Sequence, residues 1–142
     1  MRIERSKLRL EKIEPNLPPP GLFDRVPMAD PNLPETFFED AVKGGDQLFY
    51  LVNTETGQKL VLTCFRFDEV RHEIELLATQ SLVQGYRFTV DCLPIAEEKA
   101  RELGAKSLRI ATLRPGLIGL CEKQGYRIAE VILRKDLTPT TK

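Results

Sequence analysis

Apolar, β-branched and aromatic residues gather in three consecutive runs, and runs of this composition predict β-strands. Two of them flank the turn-forming NTETG in QLFYLVNTETGQKLVLTCFRFD, residues 47–68. The third is EIELLATQ, residues 73–80, after the polar DEVRH. Short turns join the three runs, so the sequence predicts an antiparallel meander.

The amino-terminal third has a different pattern. MRIERSKLRLEKIEP, residues 1–15, alternates only in part, which predicts a strand or an extended arm. Seven of the ten prolines follow between Pro15 and Pro34. Because proline fixes φ and lacks a backbone donor, this stretch is expected to be a loop. Two interpretations stay open for it, a flap over a substrate and a connection along the surface.

Three segments show the helical period. PETFFEDAVKGG, residues 34–45, has Pro34 in its first turn and Gly44 at its exit, and an apolar stripe of Phe37, Phe38, Ala41 and Val42. DCLPIAEEKARELG, residues 91–104, has the apolar face Ile95, Ala96, Ala100 and Leu103. The third helix is predicted from Pro115 to Gly125, with Leu117, Leu120 and Cys121 on its buried side.

Two strands complete the predicted order: KSLRIATL, residues 106–113, between the last two helices, and YRIAEVILRKDL, residues 126–137, after them. A strand–helix–strand unit needs a crossover, so the strand at 106–113 should run parallel to the one at 73–79. The predicted class is α/β of the α+β type: a mixed, mostly antiparallel sheet with helices packed on it.

The chain has 142 residues, the size of one ordinary domain. We expect a single domain over 1–142, with the arm and loop in 1–34, the core in 35–137 and a tail in 138–142. Twenty-one basic residues balance twenty-one acidic ones, with no basic run, so neither a nucleic acid nor a membrane is expected as a partner.

Cys64, Cys92, Cys121 and the single His72 lie far apart, without the paired spacing of a metal site, so no metal is expected. The odd number of cysteines and the lack of an amino-terminal leader favour a reducing cytoplasm. No apolar run reaches the roughly 20 residues that cross a bilayer.

The segment LGAKSLRIATLRPGLIGLCEKQGYRIAEVILRKDL, residues 103–137, resembles the closing half of a GNAT-type N-acetyltransferase. In that family a long helix ends at LG, a strand follows, and a second helix ends in a YEKxGF phrase before the last strand. The phrase here is CEKQGY, residues 121–126. The resemblance extends over about 73–137 and implies an acyl-CoA N-acyltransferase-like fold with helices on both faces of the sheet.

Members of that family hold acetyl-CoA between the fourth and fifth strands, which splay apart, with the pyrophosphate on loop amides at a helix start. The resemblance places this loop in LVQGYRFT, residues 82–89, where Gly85 matches and Leu82 and Arg87 do not. Arg87 has two interpretations at such a site: it binds a phosphate as a charged fork, or it fills the pyrophosphate space. A further alternative is that Gly85 is simply a turn residue and Arg87 a solvated charge. The residues that would contact acetyl-CoA or another acyl-CoA are Leu77, Thr79, Gln84, Gly85, Tyr86 and Arg87.

Three residues are candidates for proton transfer. Cys121 replaces the family tyrosine that protonates the departing thiolate, and it is alternatively a small buried core residue. Glu73 and Glu75 share one face of the strand from residue 73, where one would accept the proton of the amine. The same alternation is typical of an ordinary half-exposed strand. His72 is expected to be a turn or strand-end residue.

The resemblance implies transfer of an acetyl group from acetyl-CoA to an amine, with strand amides polarising the thioester carbonyl. The acceptor, a small-molecule or peptide amine, stays open. A second hypothesis is a catalytically inactive GNAT-fold binding or structural module, because three motif positions are altered. An unrelated mixed-sheet domain is a third. The oligomeric state also stays open, with a homodimer as one alternative, since pairing through an edge strand or the last strand is common in that family.

Overall fold

The computed structural model describes residues 3–24, 26–30, 33–83, 88–111 and 115–138. A short 3-10 turn at Arg5–Lys7 precedes the regular elements. In chain order these are β1 (Leu8–Lys12), α1 (Phe37–Lys43), β2 (Gln47–Asn53), β3 (Lys59–Asp68), β4 (Glu73–Ser81), α2 (Phe88–Glu102), β5 (Ser107–Ile110) and α3 (Pro115–Lys123).

The five strands form one sheet in the order β1-β2-β3-β4-β5. The first three pairings are antiparallel and β4 pairs with β5 in parallel. The predicted meander, the parallel crossover and the mixed, mostly antiparallel sheet are therefore confirmed. The arm also forms a strand, because β1 pairs along its whole length with β2.

Helices pack on both faces of this sheet. On one face, the α1 residues Phe38 and Ala41 join Ile13, Leu48, Leu62 and Cys64 in a buried cluster, as the predicted stripe requires. On the other face, α2 lies against β1, β4 and β5. The buried residues of α2 are Cys92, Leu93, Ala96 and Ala100. Cys92 and Leu93 were not among the predicted core positions, and the predicted Leu103 is 42% exposed.

The predicted helix stops hold. Gly104 and Gly125 both have positive φ, 89° and 93°, a conformation that glycine adopts without strain. The start of α2 at Phe88 lies three residues before the predicted start at residue 91. Pro94 therefore lies inside the helix, where it has no N–H to donate to the preceding turn.

Two buried or half-buried amide side chains hold the proline-rich loop against the sheet. Asn16 Oδ1 accepts a hydrogen bond from the N–H of Leu48 at 2.9 Å. Gln80 Oε1 accepts one from the N–H of Ala29 at 2.7 Å, and Gln80 Nε2 donates to the carbonyl of Pro27 at 2.9 Å. These contacts favour the interpretation of the loop as a connection fixed along the surface.

The chain divides into two compact units, Met1–Thr112 and Leu113–Lys142. The second unit contains α3, which ends with Tyr126 N–H bonded to the carbonyl of Cys121. The predicted strand over 126–137 is wrong: the structure assigns no strand there. A strand exists only through its ladder, and no pairing joins this segment to any of the described residues. Of the strand predicted at 106–113, the structure forms Ser107–Ile110, and residues 112 and 113 lie outside the described residues.

Candidate functional site

β4 contains one residue more than its partner strand requires. Cys64 of β3 lies opposite Ala78, and the next residue, Phe65, lies opposite Leu76. Leu77 therefore has no opposite residue on β3, which is the register of a β-bulge. Bulges increase the local twist of a strand and are common beside active sites, because they change where main-chain groups point.

The parallel ladder between β4 and β5 ends directly before this bulge. The two strands pair from Glu73 and Ser107 to Leu76 and Ile110, and the rest of β4 has no partner on that side among the described residues. The exposure of β4 changes at the same place. Ile74 and Leu76 are buried, whereas Leu77, Ala78 and Thr79 are half-buried.

Among the described residues, the main chain from Leu77 to Ser81 thus pairs with β3 alone. The two sequence-predicted cofactor contacts on a strand, Leu77 and Thr79, both lie in this stretch. A row of main-chain groups outside a ladder can form hydrogen bonds with a ligand in the way an added strand would. The bulge adds twist to β4 directly after the last residue that pairs with β5.

The first half of β4 carries charged side chains that are engaged with β5. Arg109 Nη2 donates to Glu75 Oε1 at 3.0 Å, and both side chains are half-buried. Ser107 Oγ donates to Glu73 Oε2 at 2.9 Å. Both predicted carboxylates therefore hold β5 beside β4, and Glu75 lies only two residues before the bulge.

A second ion pair continues this row on β3. Arg66 lies opposite Glu75 in the register. Its guanidinium donates through Nε and Nη2 to the two carboxylate oxygens of Asp46, at 3.0 and 2.9 Å. Asp46 is 4% exposed. The hydrogen bond to Asp46 raises the pKa of Arg66 above its ordinary value. Acidic and basic side chains thus alternate in the order Asp46, Arg66, Glu75 and Arg109. Asp46 lies just before β2, and the other three lie on β3, β4 and β5.

An open depression of about 380 Å³ lies over this row. Its lining residues are Arg66, Phe67, Asp68, Glu69, Glu73, Glu75 and Arg109. Four carboxylates face two guanidinium groups there, so the lining is acidic on balance. A surface of this sign attracts cations, and the ammonium form of an amine is one.

Comparison with solved structures gives neighbours of the same architecture. An acetyltransferase of Trypanosoma brucei matches at a TM-score of 0.54 and 17% identity, over 92% of this chain and 99% of that one. A proposed acetyltransferase of Pyrococcus furiosus matches at 0.53 and 21% identity, over 75% and 83%. A transcriptional regulator of Bacillus halodurans matches at 0.55 and 15% identity, over 92% and 99%. No protein-family model and no curated protein matches the chain.

The chain has the GNAT-type N-acetyltransferase fold. This conclusion confirms the resemblance that residues 73–137 indicated, at the level of the fold. The bulge and the end of the β4–β5 ladder lie on the strands between which the resemblance placed acetyl-CoA. At 15–21% identity, the similarity to these solved structures establishes the fold but not a reaction.

Part of the predicted GNAT cofactor site lies outside the described residues, namely the loop residues Gln84, Gly85, Tyr86 and Arg87. Leu82, just before them, is described: its N–H donates to the carbonyl of Leu60 at 2.8 Å, and its side chain packs against the cluster under α1. The two interpretations of Arg87 stay predictions.

Cys121 lies in the second unit, on α3. Its side chain is 7% exposed, and burial raises the pKa of its thiol above the ordinary value. This environment fits the interpretation of Cys121 as a small core residue and also keeps the thiol protonated. Leu120, predicted on the same buried side, is 39% exposed. All three cysteines are buried, and none of them forms a disulfide.

His72 is a turn residue, as expected, with φ of 53°, and its carbonyl accepts a hydrogen bond from the N–H of Lys106. Within the part of the chain that the structure describes, no cluster of acidic, histidine or cysteine side chains could hold a metal ion. No helix in those same ranges is long and apolar enough to cross a bilayer.

Sequence reasoning missed three features of this region: the bulge at Leu77, the buried Asp46 and the buried Gln80. The bulge had a signal, since the adjacent Leu76 and Leu77 interrupt the alternation of EIELLATQ. No local signal in the sequence marks Asp46 or Gln80 as buried. Asp46 follows a pair of glycines and Gln80 follows an apolar run, and polar residues in such places are usually exposed.

Proposed function

We propose that the protein is an acyl-CoA-dependent N-acyltransferase that transfers an acetyl group from acetyl-CoA to an amine. One observation carries the proposal: among the described residues the β4–β5 ladder ends at Leu76 and Ile110, and the bulge at Leu77 follows directly. A fold alone does not fix a reaction, so the argument rests on this main-chain site and not on the neighbours.

The described residues fit the acyl end of the cofactor. The main chain from Leu77 to Thr79, whose residues are half-buried, would bind the extended pantetheine arm as a strand does, and a main-chain N–H near the bulge would polarise the thioester carbonyl. Acetyl-CoA supplies an activated acyl group. Main-chain chemistry of this kind needs no particular side chain, so it tolerates the altered motif positions Leu82, Arg87 and Cys121.

Glu75 is the described carboxylate best placed to accept the proton of the amine. It lies two residues before Leu77, on the sheet face of the acidic depression, and Arg109 fixes its carboxylate at 3.0 Å. The depression would concentrate cationic amines, which must lose a proton before they attack. Glu73 lies in the same depression, and Ser107 donates to its carboxylate.

A thermal-shift titration tests the proposal directly. Ligand at about 100 times its dissociation constant stabilises the native state by about 2.7 kcal/mol, which raises the melting midpoint on the order of 10 °C for a chain of this size. We expect such a shift with acetyl-CoA. On the interpretation of Arg87 as a fork that binds a phosphate of the cofactor, Arg87→Glu should abolish this shift. Cys121→Ala and the exposed Arg9→Glu, a matched charge reversal on β1, should retain it.

The alternative is a GNAT-fold module without cofactor chemistry. The three altered motif positions favour it, and the neighbour described as a transcriptional regulator is an example of this architecture under another functional description. The same titration separates the two. An unchanged midpoint with acetyl-CoA, propionyl-CoA and free CoA at millimolar concentration would exclude the enzyme and leave the module.

A further inference from the structure

The buried side chain of Gln80 bonds to three main-chain groups at the carboxyl end of β4. Its Nε2 donates to the carbonyls of Pro27 and Ser81, both at 2.9 Å, and its Oε1 accepts from the N–H of Ala29 at 2.7 Å. Gln80 is 2% exposed, and burying an amide is costly unless its groups are hydrogen-bonded. These bonds satisfy the amide and fix residues 27–29 of the proline-rich loop to β4.

The register of the sheet shows where the carbonyl of Ser81 points. Leu82 N–H donates to the carbonyl of Leu60 at 2.8 Å, and in an antiparallel ladder every second residue bonds to the same neighbouring strand. Gln80 lies two residues earlier, so its main chain also bonds to β3. Thr79 and Ser81 therefore direct their main-chain groups away from β3, to the side on which β5 pairs with the first half of β4.

The proline-rich loop thus reaches the side of β4 on which the cofactor is proposed to bind. The carbonyl oxygens of Pro27 and Ser81 both lie 2.9 Å from the same nitrogen, so the two main chains are adjacent. Thr79 precedes Ser81 by two residues, which is about 7 Å along a strand. Residues 27–29 therefore lie close to the stretch that would bind the pantetheine arm and the thioester.

A second part of the same loop covers one face of this stretch. Leu22 and Phe23 pack against the buried cluster under α1, and Leu77 and Ala78 pack against the same cluster. Ala78 and Gln80 lie opposite members of that cluster on β3, and residues opposite each other share a face of the sheet. The loop therefore lies over the second half of β4 on the α1 face, and Gln80 is the buried polar contact that holds it there.

We propose that Gln80 is a positioning residue of the acyl site, which holds the proline-rich loop over the thioester and so keeps water away from it. The inference rests on the proposed acyl-CoA function. Water at the polarised thioester would add to the carbonyl carbon, and the C–S bond would break. The products would be acetate and the thiol of CoA, with one proton of the water transferred to the sulfur and the other released. A loop fixed by hydrogen bonds would keep this side reaction slow.

Gln80→Met tests this role, because methionine has nearly the same length but cannot form these hydrogen bonds. Thiol release from saturating acetyl-CoA is measured without any amine, so that it reports hydrolysis alone. The rate should rise about tenfold or more over the parent, since hydrogen bonds of this number favour a closed loop by at least that factor. A residue with a merely structural role would lower the melting midpoint but would not accelerate a reaction.

Asn16→Leu is the matched control. Asn16 fixes the same loop through an amide side chain, but its Oδ1 accepts from the N–H of Leu48 on β2, which β3 separates from β4. Hydrolysis by this variant should match the parent. Ala29→Pro is a milder second variant, because it removes the N–H that bonds to Gln80 from an exposed loop residue. It should raise hydrolysis less than Gln80→Met does.

The inference and the proposed function fail in different ways. If acetyl-CoA does not raise the melting midpoint of the parent, the proposed function is overturned and this inference with it. If the midpoint rises but Gln80→Met and Ala29→Pro hydrolyse acetyl-CoA no faster than the parent, the inference alone is overturned. The same holds if Asn16→Leu hydrolyses it as fast as Gln80→Met. Should Gln80→Met not fold, the rate of Ala29→Pro decides.

Discussion

The two halves of β4 use their residues in opposite ways. From Glu73 to Leu76 the strand pairs on both sides, and its acidic side chains bind Ser107 and Arg109 of β5. From Leu77 to Ser81 it pairs with β3 alone among the described residues, and its half-buried residues carry no charge. The first half is therefore held to β5 by its side chains, whereas the proposed cofactor contacts of the second half are main-chain groups.

This difference predicts which substitutions each half of β4 should tolerate. Substitutions in the first half break ion pairs and hydrogen bonds, so they should reduce stability or proton transfer. In the second half, side-chain substitutions other than at Gln80 should matter little, because the proposed contacts are main-chain groups whose position depends on the bulge. Experiments that alter the backbone and the side chains separately can therefore test the comparison.

Deleting Leu77 should have the largest effect. The deletion removes the extra residue but keeps every β3–β4 pair, since Leu76 would then be followed directly by Ala78. Without the bulge the strand loses its local twist and its ladder with β5 can continue. We expect a folded protein whose affinity for acetyl-CoA falls more than 100-fold, over about 2.7 kcal/mol, measured by calorimetric titration.

Leu77→Ala is the control for this deletion, because it keeps the extra residue and removes only the side chain. It should lower the melting midpoint modestly, as Leu77 packs against the cluster under α1, and bind acetyl-CoA as the parent does. Equal affinity of the parent and the deletion variant would show that the bulge has no role in binding.

Glu75→Gln should have the next largest effect. It keeps the shape of the side chain but removes its ability to accept a proton, and general base catalysis contributes typically 10²-fold or more. We expect kcat to fall about 100-fold while KM for acetyl-CoA changes little, measured by thiol release with an amine acceptor. Glu73→Gln is the matched control and should fall far less. Equal losses for both variants would indicate a structural role for each carboxylate.

Arg66→Ala should reduce stability without affecting the second half of the strand. The buried Asp46 carboxylate would lose its two hydrogen bonds from the guanidinium, which costs about 2 kcal/mol by denaturant unfolding. Arg71→Ala is the control, because Arg71 is 64% exposed and its ion pair with Asp68 contributes little. The acetyl-CoA affinity of the folded variant should remain that of the parent.

Most of the sheet could be predicted from the sequence, because its signals are local. The hairpin turn, the prolines and the glycines at 104 and 125 fixed where elements begin and end. The prediction of a strand over residues 126–137 was wrong for the opposite reason. Its composition indicates a strand, but a strand also depends on a partner, and composition does not reveal which partner is present.

The position of the candidate site stays a prediction from the resemblance, which places it on the fourth strand at Leu77 and Thr79. The geometry of this stretch could not be predicted from the sequence. The bulge depends on how β3 and β4 align across a turn, and the pairing of Glu75 with Arg109 joins residues 34 positions apart. Contacts at that separation have no local signature, so alternation alone could not distinguish a catalytic carboxylate from a structural one.

The smallest expected effect concerns Cys64, which lies opposite Ala78 in the second half of β4. Burial raises the pKa of its thiol from 9.0 to about 12. The folded state therefore favours the protonated thiol. The stabilising contribution of this thiol is complete below pH 9 and is lost as the pH rises toward 12.

The free energy of unfolding should fall by about 1.4 kcal/mol per pH unit in that window. Denaturant unfolding at pH 8, 9 and 10 should therefore show a loss of stability that Cys64→Ala lacks. Lysine and tyrosine residues titrate in both proteins, which makes the difference between the two slopes the quantity to measure. Parallel slopes would mean that water reaches the thiol, and hence that the sheet beneath the bulge is more open than its buried side chains indicate.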